Sequence, residues 1–542
     1  MRNYSKSCVY QIYVKSFADS NGDGIGDIPG ITGKLDYLAW LGVDYLWITP
    51  FFTSPMNDNG YDVADYCNIN PMFGTMQDVE VLLAEAKKRG IQLMFDMVFN
   101  HTSTEHEWFQ KALAKDEAYQ QFYIFKDPVD GHAPTNWQSK FGGSAWEYVP
   151  SLDKYYLHLF DKTQADLNWE NPKVREALKD VIRFWKDKGV GGFRFDVVNL
   201  ISKPSVWKDD TQGDGRRFYT DGPHVHEYLK ELVADTGIAD MMTVGEMSST
   251  SIDHCIRYTK QQERELAMAF SFHHLKVDYK DGDKWQLQPA NLLELQRLFC
   301  DWQEQMQAAD GWNAVFLNNH DQPRAISRFG DDEHYWKESG KMLALLIHFM
   351  RGTPYVYQGE EIGTPNAGFT SLEEYQDVES KNYYKILLST GKTVEEALHI
   401  LSVRSRDNGR TPMLWEESPL GGFSTTSPWL AFPKKRSGVS VAAQQQQTDS
   451  ILGFYRRLIA LRKERPVIAE GTIRFLDTPE GIIGYERQLE EQHLVVLCNL
   501  TGNSMTLLPQ LRPVGMFLIG SYEEEPDVSL GLRPYEGCAW IC

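Results

Sequence analysis

The sequence predicts an α/β chain built on a parallel sheet. Strand-like and helix-like patterns alternate through most of it, and three short acidic blocks each follow an apolar run that reads as a buried strand. The blocks are GGFRFDVVN around Asp196, MTVGEM around Glu246 and FLNNHDQPR around Asp321. Buried parallel strands are apolar on both faces, so a charge at their C-terminal end needs a reason. A (β/α)₈ barrel builds its active site at that end. Asp96, Asn100 and His101 in LMFDMVFNH precede the three blocks. One such residue could be a satisfied structural ion; a succession of them points to a catalytic cluster.

CVYQIYVKSF reads as the first strand. ITGKLDYLAWLG is an amphipathic helix stopped by Gly42, and VDYLWITPF is the second strand. MQDVEVLLAEAKKRG is a helix with a glycine stop, and IQLMFDMVF the third strand. The rhythm breaks from His101 to about Trp169, a stretch rich in Trp, Tyr, Phe, Gly and Pro. A long irregular excursion inside an α/β domain is usually functional, and this one is expected to be an inserted loop-rich domain. Alternation resumes with NPKVREALKDVIRFWKDKG and GVGGFRFDVVNL. It continues through DMMTVGEM, LAMAFSF, NAVFLNN and TPYVYQGEE to about residue 466. Thr370 to Pro412 carries two helical patterns outside that rhythm, expected to cross the barrel mouth. From about Gly471, GTIRFLD, GIIGYERQL and HLVVLCNL read as a small antiparallel β-domain. The expected division is a catalytic part over 1–100 and 170–470, an insertion over 101–169 and a C-terminal domain over 471–542. Gln444–Gln447 reads as a loop, and no solenoid or propeller period is present.

At 542 residues the chain exceeds one compact core, while 42% hydrophobic and 24% charged residues are ordinary for a globular protein. Its net charge of −20 argues against nucleic-acid or anionic-membrane partners, and an anionic ligand would need a local basic pocket. The N-terminus has no signal-peptide pattern, and no run of about 18 apolar residues would span a membrane. The seven cysteines, Cys8, Cys67, Cys255, Cys300, Cys498, Cys538 and Cys542, show no CxxC spacing and read as free thiols. A cytoplasmic location is expected.

DMVFNH, GFRFD, VGE and NNHD, in this order, resemble the four signature regions of the α-amylase family of retaining glycoside hydrolases. The resemblance covers essentially the whole chain. It implies a (β/α)₈ TIM barrel with a B-domain inserted after the third strand, a C-terminal antiparallel β-domain and no catalytic cofactor. It also implies that Asp196 is the nucleophile and Glu246 the acid and then base. Such a pair stands about 5–5.5 Å apart. Arg194, two residues before Asp196, shares its strand face, and a neighbouring guanidinium is expected to lower that carboxyl's pKa. Glu246 follows the apolar run MMTV, where a raised pKa is expected. By the same resemblance Asp321 and His320 bind sugar hydroxyls and stabilise the oxocarbenium-like transition state. His101 would donate to a hydroxyl, with Asp96 as support. Arg406 in SRDNGRTPM, with Asp58 and Tyr61 in NDNGYD, would close a pocket around one terminal glucose, Tyr61 stacking on its ring.

DSNGDGIGD offers Asp19, Asn21, Asp23, Asp27 and the carbonyl of Ile25, an oxygen-rich set that suits Ca²⁺. It is not an EF-hand, because position twelve is Gly30, and its G-x-G-x-G lacks dinucleotide-site spacing. In the oligosaccharide-cleaving branch of the family a similar loop binds Ca²⁺ or Mg²⁺ structurally.

QGEEIG, DVES and RDNGRTPM resemble the oligo-1,6-glucosidase branch, and Val197 matches members that prefer linkages other than α-1,4. GDGRRFYTDGP, VGEMSSTSIDHC and FSFHHLKVDYKDGDKW resemble that branch's trehalose-6-phosphate hydrolases. Where isomaltose-cleaving members carry FEH, this chain has Phe272, His273 and His274. His273 removes a repulsive charge from the side of the second sugar, and Lys276 and Lys284 add positive charge there. Lys284 matches a lysine that contacts the second sugar, and Glu379 of DVES is also assigned to substrate. A sugar 6-phosphate carries nearly two charges, and Lys or Arg bonds to it are charge-assisted. The expected substrate is therefore a small phosphorylated disaccharide, with Arg216, Arg217, Lys276 and Lys280 as the candidate basic region. The alternative is an oligo-1,6-glucosidase acting on isomaltose or panose. A catalytically dead sugar-binding or transport relative is disfavoured by the intact Asp196, Glu246 and Asp321.

Overall fold

The computed structural model describes residues 4–541, so Cys542 lies outside the described residues. The other six cysteines are free. The central sheet has eight parallel strands. They are β1 (Val9–Ile12), β2 (Tyr45–Ile48), β3 (Gln92–Met97), β4 (Gly192–Phe195), β5 (Met242–Glu246), β6 (Met268–Phe270), β7 (Ala314–Val315) and β8 (Thr353–Tyr357). Their hydrogen-bonded order is β6-β5-β4-β3-β2-β1-β8-β7. A parallel bridge between Ala269 of β6 and Asn313, just before β7, joins the two ends. The sheet is a closed (β/α)₈ barrel, as the alternation and the family resemblance lead one to expect. Its β6–β7 seam is thin.

Local chemistry explains the outer helices. The helix Pro172–Asp187 has proline in its first turn, and the Asn171 side chain accepts from the Lys173 N–H. Val174, Leu178, Val181, Ile182 and Trp185 fall on one face and are buried. Each such side chain contributes about 1.5–3 kcal/mol of gross burial energy. The helix expected over ITGKLDYLAWLG is instead two, Ile28–Gly33 and Leu35–Leu41, broken at Lys34. Gly30 and Gly33 weaken helical order before the break. Gly42 does end the second helix, at φ 95°, a left-handed conformation that glycine adopts without strain.

After β3 the chain leaves the barrel. His101–Ser103 pairs antiparallel with Gln164–Asp166 at the base of this excursion. Phe125–Lys126, Trp146–Val149 and Lys154–Leu157 form a three-stranded sheet within it. Its small core, which includes Trp137, Trp146, Leu157 and Leu159, packs on Val197, Leu200 and Tyr219 from the segment after β4. The insertion is therefore built against the loop that follows Asp196. After β8, the helices Val378–Ser389 and Val394–Arg404 pack in a second cluster with Trp285, Phe369 and Tyr375. Gln444–Gln447 is not simply a loop: Gln444 and Gln445 end the helix Val441–Gln445. Buried Gln444 donates to the Ile362 carbonyl (2.8 Å) and accepts from the Leu452 N–H (3.1 Å), a specific contact behind a low-complexity appearance.

The C-terminal sheet comprises β9 (Thr472–Phe475), β10 (Ile482–Leu489), β11 (Gln492–Asn499), β12 (Met516–Gly520) and β13 (Gly537–Ile541). It is antiparallel in the order β9-β10-β11-β13-β12. Arg487 of β10 is fully buried and donates to four backbone carbonyls: Phe349, Ile468 and Gly471 at 2.6 Å each, and Thr472 at 3.1 Å. Phe349 closes the helix before β8, so this one side chain ties the C-terminal sheet to the barrel. Each carbonyl left unpaired costs about 1–3 kcal/mol. Arg487→Met is expected to lower unfolding stability by roughly 3 kcal/mol or more, read from the denaturant midpoint. A shift within error would remove Arg487 from this role.

Candidate active site

The barrel places the acidic residues at the C-terminal ends of β3, β4 and β5 around one arginine. Arg194 of β4 has no exposed surface. Its Nη1 donates to Asp96 Oδ1 at 2.6 Å and to Asp196 Oδ1 at 2.7 Å, and its Nη2 meets Glu246 Oε2. Asp96 also accepts from Trp47 Nε1 and Tyr61 Oη, both at 3.0 Å. Asp196 and Glu246 therefore sit at the two ends of one guanidinium. The expectation for Asp196 is corrected in one respect. Burial pushes its carboxyl upward, and Arg194 opposes that shift without reversing it. Asp96 is likewise raised by burial, to about 6, against the pull of Arg194.

Directly after Asp196, Val197 takes φ 34°, ψ 40°. A β-branched residue in left-handed backbone stores strain of the order of 1–3 kcal/mol and persists only when surrounding structure over-determines it. Here the packing of Val197 into the small core of the insertion does so. The turn lifts the chain off the barrel just past the carboxylate.

Asp321, six residues beyond β7, is held by a second group of cations. Arg410 Nη2 lies 2.8 Å from its Oδ1 and Arg406 Nη1 3.3 Å from the same atom. His320 Nε2 is 3.2 Å from Oδ2. Burial lowers His320 to about 3, so the ring is neutral. Burial also works against the Asp321 charge, yet its carboxyl is held far below the usual range. With the His320 ring neutral, Arg406, Arg410 and Arg194 carry that depression. Arg406 and Arg410 are themselves held by buried Asp377, at 2.6 and 3.5 Å. Asp58 accepts from Arg406 at 3.2 Å and from Gln164 at 3.1 Å, and burial raises it to about 7.

Tyr61 lies parallel to His320, with ring centroids 5.0 Å apart, so one of its faces is already covered. His101 places Nε2 2.9 Å from the Tyr61 carbonyl and Nδ1 3.3 Å from Asn100 Nδ2. Lys284 is ion-paired with Glu379 at 2.6 Å, and Glu379 Oε2 is 3.5 Å from Arg406 Nε. These two predicted residues are thus joined to each other and to the arginine group. His273 turns toward Trp302, at 5.0 Å between centroids, and burial lowers it to about 4. Lys276 is half-buried.

Sequence reasoning passed over Arg410, Asp377 and Gln164. Arg410 lies four residues after Arg406, the spacing that brings side chains together on a helical turn, so that signal was available. Nothing in the sequence marks Gln164.

The Asp19–Asp27 loop is tied by its own hydrogen bonds. Asp19, Asn21 and Asp23 each accept from the N–H two residues on, at 2.8–3.0 Å, and Asp27 accepts from Ser20 and Gly30. Burial raises Asp19, but bonds from Ser424, Gly24, Gly22 and Asn21 outweigh it and hold the carboxyl low. Among the described residues no three His, Cys, Asp or Glu side chains gather as a metal-holding group.

Arg410→Met removes the shortest support of Asp321. It is expected to reduce kcat by roughly 10²-fold. An unchanged kcat would contradict this.

The chain matches the family model of the α-amylase catalytic domain over residues 11–471. It is 48% identical over 548 residues to a trehalose-6-phosphate hydrolase of Bacillus subtilis (strain 168), covering 99% of this chain and 98% of that protein. An oligo-1,6-glucosidase of Parageobacillus thermoglucosidasius is 44% identical, with 98% of each chain covered. The crystal structure of Bacillus licheniformis trehalose-6-phosphate hydrolase is similar with a TM-score of 0.95 at 46% identity, covering 100% of both chains. Family model, full-length relatives and barrel architecture agree: this chain belongs to the α-amylase family of glycoside hydrolases.

Proposed function

We propose that the protein hydrolyses trehalose 6-phosphate to glucose and glucose 6-phosphate, with retention at the anomeric carbon. The observation that carries the chemistry is the pair Asp196 and Glu246 on the two ends of the Arg194 guanidinium. That arrangement favours a short carboxylate separation, the retaining geometry of about 5–5.5 Å. The full-length likeness to trehalose-6-phosphate hydrolases supports the substrate.

In this reading Asp196 attacks the anomeric carbon of the unphosphorylated glucose. Glu246 protonates the bridging oxygen, and glucose 6-phosphate leaves. Glu246 then takes a proton from water, which displaces Asp196 and releases the second glucose. Asp321 stays anionic and faces the positive charge that develops on the sugar ring. Asp58, Arg406, His320, His101 and Tyr61 surround that glucose. The domain division over 1–100 with 170–470, 101–169 and 471–542 belongs to the same reading, as does a cytoplasmic location, since a charged sugar phosphate does not cross a bilayer unaided.

A structural Ca²⁺ or Mg²⁺ is part of the proposal. Asp19, Asn21, Asp23, Asp27 and the Ile25 carbonyl supply the oxygen donors a hard cation takes, and Asp19 is held ionised. Chelation is expected to lower Tm, with recovery on adding Ca²⁺. A Tm indifferent to both would dismiss the ion.

Two measurements test the function. Asp196→Asn should cut kcat by roughly 10⁴-fold or more; full retention of rate would refute the mechanism. Side-by-side kcat/KM values should favour trehalose 6-phosphate over trehalose and isomaltose, with equal yields of glucose and glucose 6-phosphate. A preference for isomaltose would instead assign the oligo-1,6-glucosidase activity of the 44%-identical relative.

A further inference from the structure

Three cations from three separate excursions meet beside the acid. Lys140 comes from the insertion after β3, Arg216 from the segment after β4, and Lys276 from the short turn His273–Lys276 after β6. Lys140 Nζ donates to Ser248 Oγ at 3.0 Å and lies 5.9 Å from the Tyr219 ring. Ser248 is two residues beyond Glu246. Its position is fixed by Asn199, which accepts from the Ser248 N–H and donates to the Ser248 carbonyl, both at 2.9 Å. Lys140 is thereby held next to the place from which the leaving sugar departs.

The charges that act most strongly on Lys140 are those of Arg216, Lys276, Asp214 and Lys203, three cations against one carboxylate. Asp214 is already engaged by Arg216, at 2.6 Å, and Lys203 by Asp166, at 2.7 Å. Lys140 and Lys276 are left without a carboxylate partner among the described residues. Burial and this mutual repulsion lower both ammonium groups, Lys140 to about 7. A protein of net charge −20 has placed two uncompensated lysines in one half-buried neighbourhood. Uncompensated buried charge is costly unless something neutralises it.

We propose that Lys140, Lys276 and Arg216 receive the dianionic phosphate of the departing sugar, and that Lys140 sets the preference for a phosphorylated over a neutral second sugar. The inference rests on the trehalose 6-phosphate reading and goes further by naming the residues. A phosphomonoester offers three acceptor oxygens and, with a second pKa near 6, almost two charges at neutral pH. That matches donors arriving from three directions. Arg216 is anchored by Asp214, so it supplies a fixed edge, while the two lysines supply the unspent charge. The Lys284–Glu379 pair, internally neutralised, is a contact for the neutral part of that sugar.

The pH dependence follows in sign. Lys140 carries its charge below about 7 and loses it above, whereas the phosphate gains its second charge above about 6. Preference for the phosphorylated substrate is greatest between these values and declines as pH rises. A neutral substrate lacks that decline.

The test measures kcat/KM for trehalose 6-phosphate and for p-nitrophenyl α-glucoside, from pH 6 to 9, in wild type, Lys140→Met and Lys140→Arg. Glucose 6-phosphate is assayed alongside as a product inhibitor. The ratio of the two kcat/KM values cancels any general loss from misfolding. In Lys140→Met it is expected to fall roughly 10- to 100-fold through KM, with weaker inhibition by glucose 6-phosphate. Lys140→Arg should recover much of the ratio and abolish its decline above pH 7, because a guanidinium stays charged. An unchanged ratio and unchanged inhibition in Lys140→Met, in an enzyme whose wild type prefers trehalose 6-phosphate, would overturn this assignment alone. A wild type without that preference would overturn the functional reading itself, and this inference with it.

Discussion

The buried guanidinium of Arg194 is the constraint around which the site is organised. Burying one cation with no anion is prohibitively expensive, and burying several carboxylates without a cation is worse. The barrel resolves both at once by surrounding Arg194 with Asp96, Asp196 and Glu246 from adjacent strands. Asp96 is the structural member, locked by Trp47 and Tyr61. The other two reach the mouth. Parallel register makes this possible, because Arg194 pairs directly with Asp96 on one side and with Val244 on the other.

A second charge group adjoins the first, close enough for Arg194 to act on Asp321 as well. Asp377 gathers Arg406 and Arg410, and these in turn hold Asp321 and Asp58. The outcome is a graded set of carboxyl groups joined through the arginines. Asp321 is strongly acidic, whereas Asp196, Asp96 and Asp58 are shifted upward by burial. Environments that push carboxyl groups apart in this way let one site hold both a permanent anion and groups that exchange protons closer to neutral pH.

Much of this was legible in the sequence, and the physical reason is locality. Strand and helix alternation, Gly42 at a helix end and carboxylates just past apolar runs are all encoded within a few residues. The helical Gln444 escaped because tertiary contacts decide it, and the break at Lys34 because the apolar period runs on past the glycines that weaken the helix. Arg487 looks like an ordinary strand-surface charge until the C-terminal sheet is seated on the barrel. Among candidate site residues, Asp196 was readable from its place just past an apolar strand and from the family motif, and Arg194 from its two-residue spacing to Asp196. Gln164 and Lys140 were not, because they belong to an irregular insertion whose fold is set by aromatic packing on a distant loop. The net effect of burial on Asp196 was also out of reach, since a sequence names a neighbouring arginine but not the solvent excluded around the pair.

The thin seam of the barrel has a consequence for how Asp321 is held. β7 comprises only Ala314 and Val315, and it meets β6 through the single bridge from Ala269 to Asn313. A strand of that length cannot by itself fix a side chain six residues beyond its end. Asp321 is instead cross-braced: Arg410 reaches both its carboxylate and the His320 carbonyl from the segment after β8. Its placement thus depends on a strut from outside the β-framework. The Arg410 bonds do not run through the Ala269–Asn313 bridge, so the carboxylate is held from a different part of the chain than the one that closes the barrel.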